Sequence, residues 1–529
     1  MKLNKLHAAV LAATAFSASG AFAAGLNLNG IDTTRAADPV QLEITISGSS
    51  GQDNGFEGVF SNLCDAGTLS VYTDRCTSSS DTSTDCSAST PKQPGKGYSA
   101  YFCRMSPSSV ANLTTATNVL VRKRSAGGSG VGVQPVADAT NVQQMVLDAS
   151  NCKATATSDV YKCSASVVEN TISDAGISDE EPGLFVGPNV PAGATAVSGS
   201  QIGRLDFAPM AALTFGIPVT NALYAALQQA QGLNPDLDND GNFEGQSESA
   251  TEAEILANMP SLTREQVASL MKGSVVSWDN IFFGGVALTS IGGGIPAPSD
   301  SRVTICRRVN GSGTQAQMNA LFLSAPCSDS AELPSGDNTS CTGTTGAQGT
   351  LPFCTLGGAY QGYADLRGVT SGQAIVHENS GSGDVVNCLG DLQDHNRWAI
   401  GLQSLEKISD KYSFVKLNGV APTLENVATG NYFDWAASSM QWRNQTVNGV
   451  AAPAGDELAV LQQLRISFAD ASILNGLNAG FVSHFGPVGF LSLNGATRPF
   501  NASTPIMQYT RGTSTCNVQK ARGALDFAL

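Results

Sequence analysis

Residues 303–314 of the chain read VTICRRVNGSGT, and this stretch decides the fold prediction. Its first part is apolar and β-branched, which predicts a strand, and the glycine and serine run after Arg308 predicts a tight turn. Behind the turn, Met318, Leu321 and Phe322 share one helical face, which predicts a helix. A helix that begins in a glycine-rich turn presents unpaired N–H groups and the positive end of its dipole, so this junction is typical of an anion-binding loop.

Three other glycine- and serine-rich segments follow predicted strands. They are Ser47–Gly51, Ser125–Gly130 and Gly176–Asp179, behind apolar stretches such as QLEITI at 41–46 and NVLVR at 118–122. Strands and helices alternate, which predicts α/β layers with a parallel sheet. Ligands of such sheets bind outside the carboxyl ends of the strands. The four segments therefore predict one anion site. A single Gly/Ser segment is more typical of an ordinary turn, but the segment at 308–314 with its following helix favours the anion site.

Asp179 is the unexpected member of this set, because a carboxylate repels an anion. It fits if the anion carries a proton, since the carboxylate then accepts a hydrogen bond from the protonated oxygen of phosphate. Sulfate has no such proton at neutral pH, so Asp179 would disfavour sulfate. The residues thus indicate a small oxyanion, phosphate above all, held by Arg308 and by neutral hydroxyl donors.

These motifs resemble those of the periplasmic phosphate-binding proteins of ABC importers. The sequence RVNGSGT at 308–314 is similar to the family's R-x-D-G-S-G-T loop, and NTISDAGISD at 170–179 is similar to the segment that ends in G-A-S-D and supplies the phosphate-facing Asp. Four further segments resemble family motifs in the same order along the chain: the first ligand loop at 47–50, the Ser/Gly loop at 127–130, the helix and G-x-I-x-x-W-[ND] turn at 262–279, and the G-A-I-G-Y strand at 398–401. The chain departs from the family at Asn310, where Asp is usual, and at Leu402, where Tyr is usual.

The resemblance implies an α/β, two-lobed type II periplasmic binding-protein fold, with a ligand cleft between the lobes and disulfide-stapled insertions. We expect residues 40–190 to form the first part of lobe 1, 195–415 to form lobe 2, and 416–529 to form the return to lobe 1 with a C-terminal extension. The implied function is the capture of inorganic phosphate, or a similar oxyanion, for uptake by an ABC permease. Such a protein is a monomer, is not an enzyme and requires no cofactor.

The ligand-binding residues follow from the resemblance position by position. They are Ser49, Ser50, Ser129, Asp179, Arg308, Ser312, Gly313 and Thr314. Arg308, Ser312 and Thr314 would bind the oxyanion directly, and Asp179 would accept its proton. Ser50 and Ser129 would donate from the other lobe.

The composition is that of an exported protein. The 529 residues carry a formal net charge of −15, and only 14% of them are charged, against about 25% in an ordinary soluble protein. This balance disfavours binding to nucleic acid or to an anionic membrane surface. A basic start, an apolar stretch and the site Ala21-Phe22-Ala23 predict a signal peptide over residues 1–23 and a periplasmic or secreted protein. A membrane anchor is the alternative, but the stretch is too short to span about 30 Å, and no later run suggests membrane insertion.

Twelve cysteines agree with an oxidising compartment. The spacing favours a Cys152–Cys163 disulfide across a small polar loop. A nested set, Cys64–Cys103 around Cys76–Cys86, is also consistent with the spacing. The Ser/Thr/Asp-rich residues 64–103 therefore predict a stapled surface insertion.

The acidic sequence DLDNDG at 236–241 fits the first half of a calcium loop. Asp236, Asp238 and Asp240 would supply hard oxygen ligands, and Gly241 would make the turn. The second half is imperfect, because Ser247 stands where a glutamate is usual. The alternatives are a structural calcium site and a solvated acidic loop.

An enzyme and a secreted interaction protein are the other two function classes that this sequence could represent. An enzyme is disfavoured, because the chain has neither an H-E-x-x-H nor a G-x-S-x-G motif, and the three histidines after the predicted signal peptide form no metal pattern. A secreted interaction or matrix protein that keeps the fold without transport is the alternative. The large cysteine-bearing insertions favour that alternative, and the intact loop at 308–314 disfavours it.

Overall fold

The computed structural model describes most of the chain after the predicted signal peptide. The described residues are 28, 31, 39–74, 97–155, 157–191, 193–335, 355–356, 359–360, 372–495 and 498–524. The signal peptide prediction for 1–23 lies outside them, as do Cys76, Cys86, Cys341 and Cys354.

Two mixed β-sheets form the framework, and helices pack against both of them. The strands of these sheets are β1 (Leu42–Gly48), β2 (Ser70–Thr73), β3 (Tyr98–Met105), β4 (Thr117–Arg124), β5 (Cys152–Ala154), β6 (Val160–Cys163), β7 (Ala175–Ser178), β8 (Leu205–Gly216), β9 (Pro218–Thr220), β10 (Thr304–Arg308), β11 (Ile375–Asn379), β12 (Ala399–Gly401), β13 (Gln403–Ser404), β14 (Tyr412–Phe414), β15 (Trp435–Arg443) and β16 (Phe490–Ser492). The predicted α/β class is confirmed.

The larger sheet has eleven strands in the order β13-β8-β15-β7-β1-β4-β3-β2-β6-β5, with β16 also paired to β8. Its centre is parallel, because β1 pairs in parallel with both β4 and β7, with Ile44 opposite Val121. The flanking pairs β8–β15, β15–β7 and β4–β3 are antiparallel. The carboxyl ends of β1, β4 and β7 therefore meet at one edge and bring their glycine- and serine-rich segments together.

The smaller sheet has five strands in the order β11-β10-β12-β9-β14. Strand β10 lies in parallel between β11 and β12, whereas β9 is antiparallel to both of its neighbours. The prediction of a parallel sheet is thus wrong for β9 in the smaller sheet and for β3, β8 and β15 in the larger one, whereas the outer pairs β10–β11 and β2–β6 are parallel. The physical reason is that the pairing partners of β9 and β15 are distant in sequence, so no local pattern sets their direction.

Eleven α-helices lie in the described residues. They are α1 (Asp53–Ser61), α2 (Gln134–Asp138), α3 (Gly199–Ile202), α4 (Asn221–Ala230), α5 (Glu252–Asn258), α6 (Arg264–Met271), α7 (Gly313–Leu323), α8 (Ser382–Asp394), α9 (Leu424–Ala428), α10 (Gly455–Phe468) and α11 (Ala471–Asn478). Helix α6 begins at the capping box that the sequence contains, since the Thr263 hydroxyl accepts from the Gln266 amide and the Gln266 side chain accepts from the Thr263 amide.

Short two-stranded ribbons and single 3-10 turns complete the described chain. The ribbons are Asn141–Met145 with Val168–Ile172, Ser261–Leu262 with Lys416–Leu417, Phe282–Phe283 with Val286–Ala287, Thr355–Leu356 with Ala359–Tyr360, Val482–Ser483 with Gly486–Pro487, and Tyr509–Thr510 with Lys520–Ala521. The 3-10 turns are Ser129–Gly132, Pro182–Leu184, Gly187–Asn189, Gly245–Ser247, Trp278–Asn280 and Leu288–Ser290.

Two large apolar cores hold the helices on the sheets. Under the larger sheet, α1 and α10 bury Phe56 and Leu461 against Ile44 of β1. The second core joins the smaller sheet to α4, α6 and α8, and it also contains Leu213 of β8 and Phe490 of β16 from the larger sheet. The chain passes from the larger sheet to the smaller one through Ile217, between β8 and β9. It re-enters the larger sheet at β13, between β12 and β14, and returns to it finally between β14 and β15. The lobe boundaries expected above stay a prediction.

Four disulfides join parts of the described chain. Cys152–Cys163 and Cys64–Cys103 confirm two pairings that the spacing favours or allows, and the other two are Cys306–Cys388 and Cys327–Cys516. The prediction that 64–103 is a surface insertion is wrong for 70–73 and 98–103. These residues belong to strands β2 and β3 of the larger sheet, because their aromatic and small side chains are buried there.

No helix within the described residues combines the length and the apolar character that a bilayer crossing needs.

Candidate functional site

The amino-terminal ends of three helices meet between the two sheets. Ser50 lies just before α1, which packs on the larger sheet, and Ser382 is the first residue of α8, which packs on the smaller sheet. Their hydroxyl oxygens are 3.2 Å apart, and the Ser382 amide lies 3.4 Å from Ser50 Oγ. Helix α7 begins beside them, directly after the loop that follows β10. The positive ends of the three helix dipoles thus point into one region between the sheets, which favours negative charge there.

Arg308, the last residue of β10, supplies the positive charge of this place. Its side chain is only 1% exposed. Nη1 donates to Ser382 Oγ at 2.9 Å, Nη2 donates to the Ser380 carbonyl at 2.7 Å, and Nε donates to the Asn379 carbonyl at 3.2 Å. Within the described part of the chain, no carboxylate accepts a hydrogen bond from this guanidinium. Burial lowers the pKa of Arg308, and the charge of Asp179 acts in the opposite direction.

Asp179 lies on the other side of the site, directly after β7. Its carboxylate accepts a hydrogen bond from the Ser49 hydroxyl, and its backbone amide donates to Ser129 Oγ at 3.0 Å. The Thr314 hydroxyl lies 3.5 Å from its second oxygen. Burial raises the pKa of the Asp179 carboxyl, whereas the Ser49 hydrogen bond and the charge of Arg308 lower it. The ionised carboxylate of Asp179 can therefore accept a further hydrogen bond, in the neighbourhood of the buried Arg308 guanidinium.

The loop at the start of α7 needs its glycines. Gly311 has a φ of +90°, which favours glycine. A Cβ at Gly313 would lie 2.5 Å from Ser129 Oγ and 2.6 Å from the Asp179 Cβ, so a larger residue would push these groups apart. Ser312 caps α7, since its hydroxyl oxygen accepts from the Gln315 amide at 3.4 Å. The hydroxyl hydrogen of Ser312 stays available for a ligand.

The eight residues predicted from the sequence lie in one connected set. Four of them, Ser49, Ser129, Gly313 and Thr314, surround Asp179. Ser50 is linked to Arg308 through Ser382. Ser312 caps α7, the helix that also carries Gly313 and Thr314. All eight are buried. Their roles as ligand contacts stay predictions.

Sequence reasoning did not assign two residues of this set. Ser382 bridges Arg308 and Ser50, and the Gln52 amide lies 3.5 Å from the Asp179 carboxylate. A signal for Ser382 exists, because Ser380-Gly381-Ser382-Gly383 follows β11 in the same way as the other glycine- and serine-rich segments follow their strands. Gln52 carries no comparable signal.

The predicted calcium loop lies on the surface, away from this set. The carboxylate oxygens of Asp236, Asp238 and Asp240 are all within 4.8 Å of one another. The amides of Asp240 and Gly241 donate to Asp236 at 3.1 and 3.0 Å, which gives the turn of such loops. Calcium binding stays a prediction.

Comparisons with known proteins give structural likenesses only. No protein-family model and no curated protein sequence matches the chain. Among solved structures, a substrate-binding protein assigned to a phosphate ABC transporter, with bound phosphate, from Clostridium perfringens is 12% identical, with 84% of this chain and 99% of that chain covered and a TM-score of 0.37. An ABC-type phosphate transport receptor from Vibrio cholerae is 14% identical, with coverage of 84% and 99% and a TM-score of 0.35. PstS from Borrelia burgdorferi is 12% identical, with coverage of 85% and 99% and a TM-score of 0.31.

Proposed function

We propose that this protein is an extracytoplasmic solute-binding protein that captures phosphate between two lobes for ABC-type uptake. The observation that carries the proposal is the Arg308 guanidinium, which is buried where three helices begin and which, among the described residues, donates to neutral oxygens only. The carboxylates of Asp179, Asp384 and Asp53 act on it through their charge without such a hydrogen bond. An anion in front of Arg308 would supply a directly bonded charged partner. At a separation of 4 Å, such an attraction amounts to about 4 kcal/mol at an effective dielectric constant near 20.

The hydroxyl groups around the site support a dehydrated tetrahedral anion. Ser50, Ser382 and Thr314 bring neutral donors from both sides of the site, and the first amides of α7 add further donors. Neutral donors select for shape and hydrogen-bonding pattern, and the single arginine supplies the net charge. This arrangement suits a small oxyanion despite the acidic surface of the protein.

Asp179 supports phosphate over sulfate. An ionised carboxylate that faces an anion is tolerated only when the anion donates a hydrogen bond, and phosphate retains a proton near neutral pH. Sulfate would face the carboxylate without a donor, so repulsion would be uncompensated. Burial raises the pKa of Asp179, and the Ser49 hydrogen bond and the charge of Arg308 oppose that rise.

Capture would couple to the movement of the lobes. Residues 40–190 and 416–529 would form lobe 1, residues 195–415 would form lobe 2, and the chain segments that pass between them would act as a hinge. The Ser50–Ser382 contact lies between the lobes and would part on opening. The anion would bind the closed form better and shift the population towards it. Export after cleavage of residues 1–23 is consistent with the disulfides.

Phosphate titration of an arginine variant tests the proposal. We expect the protein, purified and freed of phosphate, to bind it with micromolar or tighter affinity, and Arg308→Ala to weaken binding by at least about 100-fold. Arg104→Ala is the matched control, because that side chain is 58% exposed and should leave the affinity unchanged. A folded Arg308→Ala protein with unchanged phosphate affinity would contradict the site. A wild-type protein that binds neither phosphate nor sulfate would favour the secreted interaction protein.

A further inference from the structure

A buried ion pair lies directly behind the Ser49–Ser50 segment. We infer that Lys123 is a positioning residue of the anion site, which neutralises Asp53 so that the beginning of α1 accepts an anion. The inference rests on the proposed function and goes beyond it, because Lys123 would contact no ligand. The buried Lys123 ammonium is not among the predicted ligand contacts, and the inference assigns it a role.

The three hydrogens of the Lys123 ammonium all have partners. Nζ donates to Asp53 Oδ1 at 2.5 Å, to Ser125 Oγ at 2.6 Å and to the Ser49 carbonyl at 2.8 Å. The ring of Phe56 covers the ammonium at 5.9 Å. Both members of the pair are sealed from solvent, with side-chain exposures of 0% for Lys123 and 3% for Asp53. Such saturation fixes the ammonium at one point at the carboxyl end of β4.

Asp53 is a problem for an anion site unless its charge is cancelled. It is the first residue of α1, where a carboxylate interacts favourably with the helix dipole. Its negative charge therefore offsets the partial positive charge that would otherwise attract a bound anion. Its charge also reaches the site: burial lowers the pKa of Arg308, and the Asp53 carboxylate is one of three that oppose this effect. With Lys123 attached, the pair is neutral as a whole, and the partial positive charge of α1 is left for the ligand.

Lys123 also fixes the segment that carries two predicted ligand contacts. The Ser49 carbonyl accepts from Lys123, while the hydroxyl of the same serine donates to Asp179 and accepts from the Gly51 amide at 3.0 Å. Ser125 donates to Asp53 Oδ1 at 2.6 Å and closes the network. The orientation of the Ser49–Ser50 segment therefore depends on the end of β4, about 70 residues further along the chain.

Charge restoration separates the electrostatic role from a purely structural one. We expect Lys123→Met to weaken phosphate binding by about tenfold or more, because it leaves Asp53 as an unpaired anion beside the site. The double variant Lys123→Met with Asp53→Asn removes both charges, and we expect its phosphate affinity to return to within about threefold of wild type. Lys153→Met is the control, since Lys153 is exposed.

Each outcome decides the inference. If Lys123→Met does not fold, the double variant alone is decisive: phosphate binding near the wild-type affinity supports the inference, and a folded double variant with strongly reduced affinity overturns it. Unchanged affinity in folded Lys123→Met also overturns it. In both overturning cases the wild type still binds phosphate. A wild type that does not bind phosphate contradicts the proposed function itself.

Discussion

The Arg308 guanidinium donates a hydrogen bond to the Ser382 hydroxyl, with 2.9 Å between Nη1 and Oγ. The same hydroxyl lies 3.2 Å from Ser50 Oγ. Ser382 thus connects Arg308, at the end of β10 in the smaller sheet, with Ser50, which lies between β1 of the larger sheet and α1. It lies between the two sheets, where the proposed closing movement would bring hydrogen-bond donors together.

Replacement of Ser382 by Ala removes this connection. We expect phosphate affinity to fall by roughly five- to tenfold, because one hydroxyl donor and one anchor of Arg308 are lost. The melting temperature should change little. Ser200→Ala, at an exposed serine, is the control. Calorimetric titration and a thermal scan measure both quantities, and a normal affinity in Ser382→Ala would remove this residue from the site.

Replacement of Asp179 by Asn tests the basis of ion selection. Asparagine keeps the shape and removes the charge, so sulfate no longer meets an uncompensated carboxylate. We expect the ratio of phosphate to sulfate affinity to fall by at least about tenfold, through weaker phosphate binding, stronger sulfate binding or both. Competition between the two anions measures the ratio directly. An unchanged ratio would mean that Asp179 does not accept a hydrogen bond from protonated phosphate.

The Cys306–Cys388 disulfide joins β10 to α8, the two elements that carry Arg308 and Ser382. Replacing both cysteines by Ala should lower the free energy of unfolding by up to about 4 kcal/mol and should weaken phosphate binding. Replacing Cys152 and Cys163 by Ala is the matched control. That bridge joins β5 to β6 at the edge of the larger sheet, so its loss should lower stability only. Equal effects of the two changes on affinity would contradict a positioning role for the inner bridge.

Glu406 should make stability depend on pH. Burial raises the pKa of this carboxyl to about 7, against the lowering effect of Lys407. The same carboxyl has the lower, ordinary pKa in the unfolded chain. Its protonation therefore contributes fully to the free energy of unfolding below about pH 4.5, and this contribution is lost as the pH rises through about 7. Glu406→Gln should therefore exceed wild type in stability near pH 8 by up to roughly 3 kcal/mol and match it near pH 5.

Urea unfolding of both proteins at the two pH values measures this difference for Glu406. Parallel pH profiles for wild type and variant would show that the carboxyl titrates normally.

Calcium should stabilise the surface loop at 236–241 if the sequence prediction holds. We expect millimolar calcium to raise the melting temperature, and Asp238→Asn to abolish the increase, because the loop would lose one of three clustered carboxylates. Magnesium at the same concentration serves as the control ion. Identical thermal scans with calcium and with a chelator would identify the loop as a solvated acidic turn.

Local signals in the sequence account for the parts of the structure that were predicted. The strand-to-helix junction at 303–314 lies where a short stretch determines its own conformation. Ser49, Ser50, Ser129 and Asp179 come together because the carboxyl ends of β1, β4 and β7 share one edge of a sheet. Arg308, Ser312, Gly313 and Thr314 lie at or directly after the end of β10 in the other sheet, so their approach also requires the packing of the two sheets.

The parts that could not be predicted depend on contacts between distant residues. Strand β15 pairs with β8 and β7 from more than 200 residues away, and nothing within its own sequence sets that direction. The Lys123–Asp53 pair likewise joins residues 70 apart, neither of which stands in a recognisable motif. Ser382 had a local signal, but its link to Arg308 depends on how β10 and α8 pack.

Calorimetric titration of the phosphate-free protein with phosphate and then with sulfate, near neutral pH, tests the central claim most directly. The account predicts micromolar or tighter phosphate binding, with little or no heat from sulfate at the same concentrations. Equal binding of both anions would contradict the role of Asp179, and the absence of any phosphate binding would contradict the proposed function.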